Sequence, residues 1–151
     1  EISLGLVGSE MCIRDRYSAF EYMAEYVVDS FKYGDEEEKF EEYRPTPFLF
    51  DSTSAYAESS FEVYFTIPGD KNEKTYNYGF CVNKEGVTEE WLNSKAKTAR
   101  KYSTVFYRGN SESELDLSGL PKNSRDNITS LINNNGITNT NVFLRNIIYI
   151  V

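Results

Sequence analysis

Between residues 59 and 93 apolar and polar side chains alternate, and two short polar turns interrupt the alternation. In "SFEVYFTI", Phe61, Val63, Phe65 and Ile67 fall on one side, with Glu62, Tyr64 and Thr66 on the other. After the turn "PGDKNEK", the stretch "TYNYGFCVN" resumes with Tyr76, Tyr78, Phe80 and Val82 in phase and Cys81 out of phase. "KEG" at Lys84 to Gly86 is a second tight turn, and "VTEEWLN" follows as a third strand. A period of two is the strand repeat, because successive side chains of a strand point to opposite faces. Turns this short join antiparallel neighbours, since parallel strands need a long crossover. "KYSTVFYR" and the short "SELDLSG" extend the series, so the sequence predicts an antiparallel β-meander. The hairpin from Phe61 to Val82 is expected at its centre, with Phe61, Phe65, Phe80 and Trp91 buried.

The flanks read as helical. Phe20, Met23, Ala24, Val27, Val28 and Phe31 recur at the three- and four-residue spacing of an amphipathic helix over 17–33, closed by Gly34. An acidic loop is expected over 34–47. Its run "DEEEKFEEY" lacks the alternating acids and central glycine of a calcium loop, so it reads as a solvated segment. Pro45 and Pro47 then start an extended segment, "PFLFD", and the meander is expected over 48–117. Residues 124–151 are expected to be helical. Ser124 is placed as the cap of a short helix carrying Ile128, Leu131 and Ile132. Val142, Phe143, Ile147 and Ile150 suggest another, although "IIYIV" fits a strand equally. The fold class is α+β: an amphipathic helix, an antiparallel β-meander, then short C-terminal helices.

Composition narrows the chemistry. At 151 residues the chain suits one domain or a large piece of one. It has no histidine, which removes the commonest general base and metal ligand. Two cysteines are too few for a disulfide framework or a zinc site. A net charge of −8 argues against a free-standing nucleic-acid binder. No apolar run approaches the roughly 20 residues of a membrane span, and no secretory leader is evident, so a cytoplasmic protein is expected.

The opening residues pose a separate problem. "EISLGLVGSE" could be a strand running into a glycine turn. A phosphate loop needs G-x-x-x-x-G-K-[ST], and here Gly5 and Gly8 have the wrong spacing with no lysine before Lys32. "LVGSEMCIRDR", residues 6–16, resembles the translation of a transposon adapter used to build sequencing libraries. Residues 1–16 are therefore expected to be non-native and to contribute no packing, with the native sequence and its helix starting near Tyr17.

From Tyr17 to about Leu144 the chain resembles AAA-family ATP-binding proteins of the ABC and SMC type, related to OLD-family and RecF-like ATPases. The residues that carry the resemblance are Phe61-Glu62-Val63-Tyr64-Phe65, Tyr76-Asn77-Tyr78-Gly79-Phe80 and Glu90-Trp91-Leu92, in that order after the helix. The resemblance implies a partial N-terminal ATPase lobe, in which a strand and phosphate loop lead into the helix and the meander follows. It implies ATP and Mg²⁺ as cofactors of a parent protein that closes as a head-to-head homodimer, with any DNA or protein partner left open. The adapter-like peptide stands where the phosphate loop belongs, and no Walker B acid can be matched. The chain itself is therefore expected to be an inactive fragment, with no catalytic, cofactor-binding or metal-binding residue of its own.

Two other readings come from the residues alone. Tyr64, Tyr76, Tyr78 and Trp91 could form an aromatic platform for sugar or peptide in a non-enzymatic β-rich binding module, against core packing as the simpler role. Glu89 and Glu90 could suggest an acid-pair hydrolase, but neighbours on a strand point to opposite faces.

Overall fold

The computed structural model describes residues 2–33, 57–111 and 114–133. The predicted acidic loop over 34–47, the "PFLFD" segment and the predicted helices beyond residue 133 lie outside them. Within them, helix α1 (Ile2–Tyr33) precedes a sheet of five strands and a second helix. The strands are β1 (Ser59–Thr66), β2 (Thr75–Asn83), β3 (Gly86–Lys95), β4 (Ser103–Arg108) and β5 (Leu115–Asp116). They lie in sequence order, each antiparallel to the next. This is the expected α+β meander. Helix α2 (Lys122–Asn133) closes the described part of the chain.

Side chains make the turns. Asp70 accepts hydrogen bonds from the backbone N–H groups of Asn72 (2.9 Å) and Lys74 (3.2 Å) between β1 and β2. These bonds hold its carboxyl below the usual carboxylate range, the Asn72 N–H contributing most. Between β2 and β3, the Asn83 side-chain oxygen accepts from the N–H groups of Glu85 and Gly86. Gly86 sits at φ 133°, where a side chain would be strained.

One face of the sheet carries the core. Phe61, Val63 and Phe65 of β1 oppose Phe80, Tyr78 and Tyr76 of β2 in register. Leu92 of β3 and Phe106 of β4 continue the layer. Tyr22 of α1 stacks on Phe61 at 5.1 Å, and Tyr26 on Phe80 at 5.2 Å. Met23 and Tyr26 are buried there, as are Leu120 and Ile128 from the C-terminal side.

Several expectations need correction. The helix begins at Ile2 rather than Tyr17, so Gly5 and Gly8 lie within a helix and not in a strand and turn. The inward side of α1 is Tyr22, Met23, Tyr26 and Val27, whereas Phe20, Ala24 and Val28 of the predicted stripe are exposed. Tyrosine rings supply the contact that the apolar spacing assigned to phenylalanine and valine. Ser124 does not cap α2, which starts at Lys122, and is buried inside its first turn. The Pro121 carbonyl instead accepts from the Arg125 N–H. Phe80 is fully buried, but Phe61 and Phe65 are half-buried and Ile67 is exposed beyond the end of β1. Trp91 is half-buried and stands on the other face of the sheet, because it pairs with Gly79 rather than with a core residue.

Candidate functional site

The face of the sheet turned away from the helices carries an open depression of about 540 Å³. It is lined by Glu62, Asn77, Glu89, Trp91, Asn93, Thr104, Tyr107 and Asp116. Its floor follows from one glycine. Gly79 faces Trp91 across the β2–β3 pair, and a Cβ at 79 would run into the Trp91 indole and the Phe61 carbonyl oxygen. The absence of a side chain thus lets the indole lie across the strand.

A polar ladder flanks the ring. Asn93 donates through Nδ2 to Asn77 Oδ1 (3.1 Å), and Asn77 Nδ2 donates to Glu62 Oε1 (2.8 Å). Three strands are tied by these two bonds, and each amide is fixed in orientation by its neighbour. On the other side, Tyr107 pairs with both Trp91 and Asp116 in register and is hydrogen-bonded to Glu89. Burial, then the nearby Glu89 and Glu114 carboxylates, raise the Tyr107 phenol above its ordinary value. Asp116 is held low by hydrogen bonds from the Ser118 hydroxyl and N–H, and so stays ionised. A register shift between Leu92 and Asn93 leaves Val105 as an extra residue on β4. That bulge turns Thr104 to the same face as Tyr107, which strict alternation would forbid.

At one end of the same face Tyr64 meets Tyr102 edge-on at 6.1 Å, and Lys95 Nζ sits 5.0 Å from the Tyr102 ring centre. Tyr64 lies on β1 and Tyr102 just before β4, and these strands are not neighbours, so the two rings reach towards each other over β2 and β3.

The predicted aromatic platform is therefore divided. Tyr64 and Trp91 stand on the open face, while Tyr76 and Tyr78 are buried against the core, Tyr76 stacked on Phe65 at 5.4 Å. Glu89 and Glu90 point to opposite faces: Glu89 is exposed and lines the depression, and Glu90 is fully buried. Glu90 Oε1 accepts from the Tyr78 hydroxyl (3.1 Å), and Oε2 accepts from Arg108 Nη2 (3.0 Å). A carboxylate so enclosed holds strands together and has no route to a substrate. Cys81 is half-buried, and burial raises its thiol above the ordinary value, which disfavours the nucleophilic thiolate.

Sequence reading did not single out the Asn77–Asn93 ladder, Tyr107 or Asp116. The available signal was register: once Gly79 faces Trp91, Asn77, Asn93 and Tyr107 follow on the same side.

Among the described residues no group of three or more His, Cys, Asp or Glu is placed to hold a metal ion. No described helix is long and apolar enough to cross a membrane. The glycines at 5 and 8 lie in helical backbone, whose N–H groups are committed along the helix and do not form a phosphate cradle. No family model, no curated protein and no solved structure matches the chain.

Proposed function

We propose that the chain is part of the N-terminal lobe of an ATP-binding, ATP-hydrolysing protein of the AAA family, of the ABC and SMC type. The observation that carries this reading is that α1 is apolar on two sides. Its inner side packs on the sheet through Tyr22, Met23 and Tyr26. Its outer side presents Tyr17, Phe20 and Val28, which are 64%, 59% and 56% exposed, with Ala24 between them. A helix apolar on both sides is suited to a place between two layers. A lobe in which a strand and phosphate loop lead into this helix supplies such a second layer. ATP and Mg²⁺ belong to a loop and acids that this sequence does not carry, so the chain alone is not a working ATPase. In the parent, nucleotide would close a cytoplasmic head-to-head dimer.

The test is the genomic sequence preceding Tyr17, read independently, followed by calorimetric titration of the encoded longer protein with Mg-ATP. A G-K-[ST] loop directly before "AFEYM" and micromolar binding are expected. Absence of the loop, or no binding by the longer protein, removes the reading.

A further inference from the structure

We infer that the depression over Trp91 is a binding site for a cationic side chain, arginine above all, presented by an extended segment of a partner protein. The inference stands apart from the nucleotide reading and rests on the opposite face of the sheet from α1. Three of the eight lining residues, Glu62, Glu89 and Asp116, are carboxylates, and none is lysine or arginine. Lys95, on the same face, is held over the Tyr102 ring and does not line the depression. A neutral guest would take water from three negative charges and return nothing for it. A phosphate or a nucleic-acid strand would be repelled. A guanidinium compensates the carboxylates, and its planar fork matches them in two-point hydrogen bonds.

The aromatic residues add to the case. The Trp91 indole lies across Gly79, and its strand neighbour in register is Tyr107. Tryptophan is the best aromatic acceptor for a cation over its face. Lys95 over Tyr102 is the same contact already made within this sheet face. The Asn93–Asn77–Glu62 ladder fixes the Glu62 carboxylate, so part of the ordering cost of binding is met before the guest arrives. The shape suits a segment rather than a small metabolite, because the depression is broad and open and, among the described residues, nothing encloses a ligand from above.

The chain has a single tryptophan, so its fluorescence reports on this site directly. The probes are blocked tri-arginine, tri-glutamate and maltotriose, titrated into the 151-residue chain at low salt. Tri-arginine should give a saturable change in Trp91 emission, weakening severalfold when salt is raised to about 0.5 M. Tri-glutamate and maltotriose should give none. The double variant Glu62→Gln/Asp116→Asn keeps the oxygen that accepts from Asn77 and the one that accepts from Ser118, so the fold is preserved. It should bind tri-arginine about tenfold more weakly. An unchanged affinity in the double variant would assign binding to the general negative charge of the chain and overturn the site. So would a response to maltotriose in place of tri-arginine, or no saturable response to tri-arginine at all.

Discussion

Glu90 is buried to 0% exposure, and its stability depends on two residues brought to it by register. Arg108 faces it across the β3–β4 pair, and the Tyr78 hydroxyl reaches its other oxygen. Taking a carboxylate out of water costs several kcal/mol, and only close partners offset it. Arg108→Met removes the guanidinium and leaves the acid in place. We expect a loss of about 3–5 kcal/mol, seen as a lower urea midpoint at unchanged slope. A loss below about 1 kcal/mol would mean that water reaches Glu90. Gly79→Ala probes the other face. Its new methyl group meets the Trp91 indole and a backbone carbonyl, so the ring must leave its place. The expected cost is about 1–3 kcal/mol, with a shift in Trp91 emission. Burial also ranks the phenylalanines. Phe80→Ala should cost roughly 3–5 kcal/mol, and Phe65→Ala less, because Phe65 is only partly covered.

Helix α1 docks on the sheet through phenol rings, and this makes the docking sensitive to alkali. Burial raises Tyr22, Tyr26 and Tyr78 above their ordinary value of 10, Tyr78 most completely enclosed. A raised folded-state value means that folding favours the neutral phenol. The contribution is full below pH 10 and is lost as pH climbs above it through the folded-state values. Stability should therefore be flat to about pH 9 and fall beyond pH 10, with these three phenolates appearing together with unfolding. Their gradual ionisation without unfolding would contradict the packing. The same rings explain what was legible in the sequence. The meander could be read because period 2 persists through β1 and β2 and the turns are short. The inward side of α1 could not, because tyrosine counts poorly as apolar, yet Tyr22 and Tyr26 make the stacking contacts. From sequence, Trp91 is placed in the core as an aromatic anchor of a buried patch. Parity puts Glu90 with Leu92 in the core instead, a choice that makes sense only once Arg108 and Tyr78 are opposite. Thr104 joins the site through a bulge, which alternation cannot reveal.

At the scale of the molecule, the first turns of α1 and the nucleotide question meet. Ile13 to Glu21 are all exposed, and among the described side chains of the helix Tyr22 is the first packed against the core. Deleting residues 1–16 should change stability by less than about 2 kcal/mol, since no core side chain described is lost. The deletion should not alter nucleotide binding either, because we expect none to alter. Phosphates need converging backbone N–H groups, a lysine and a metal ligand. The glycines before Tyr17 lie in helical backbone, the first lysine is Lys32, and the chain carries a net charge of −8. A negative molecule repels a polyanion at long range. Trp91 could stack on adenine, but one stacked base contributes only about 1–3 kcal/mol, and Glu62, Glu89 and Asp116 surround it. That range corresponds to a dissociation constant above roughly 1 mM. Calorimetric titration of the 151-residue chain with Mg-ATP should therefore be flat at micromolar concentrations. Heat that saturates there would place a nucleotide site on this chain and overturn the argument from the missing phosphate cradle. Quenching of Trp91 in the same titration would place that site on the open face of the sheet. A silent Trp91 would place it away from that face.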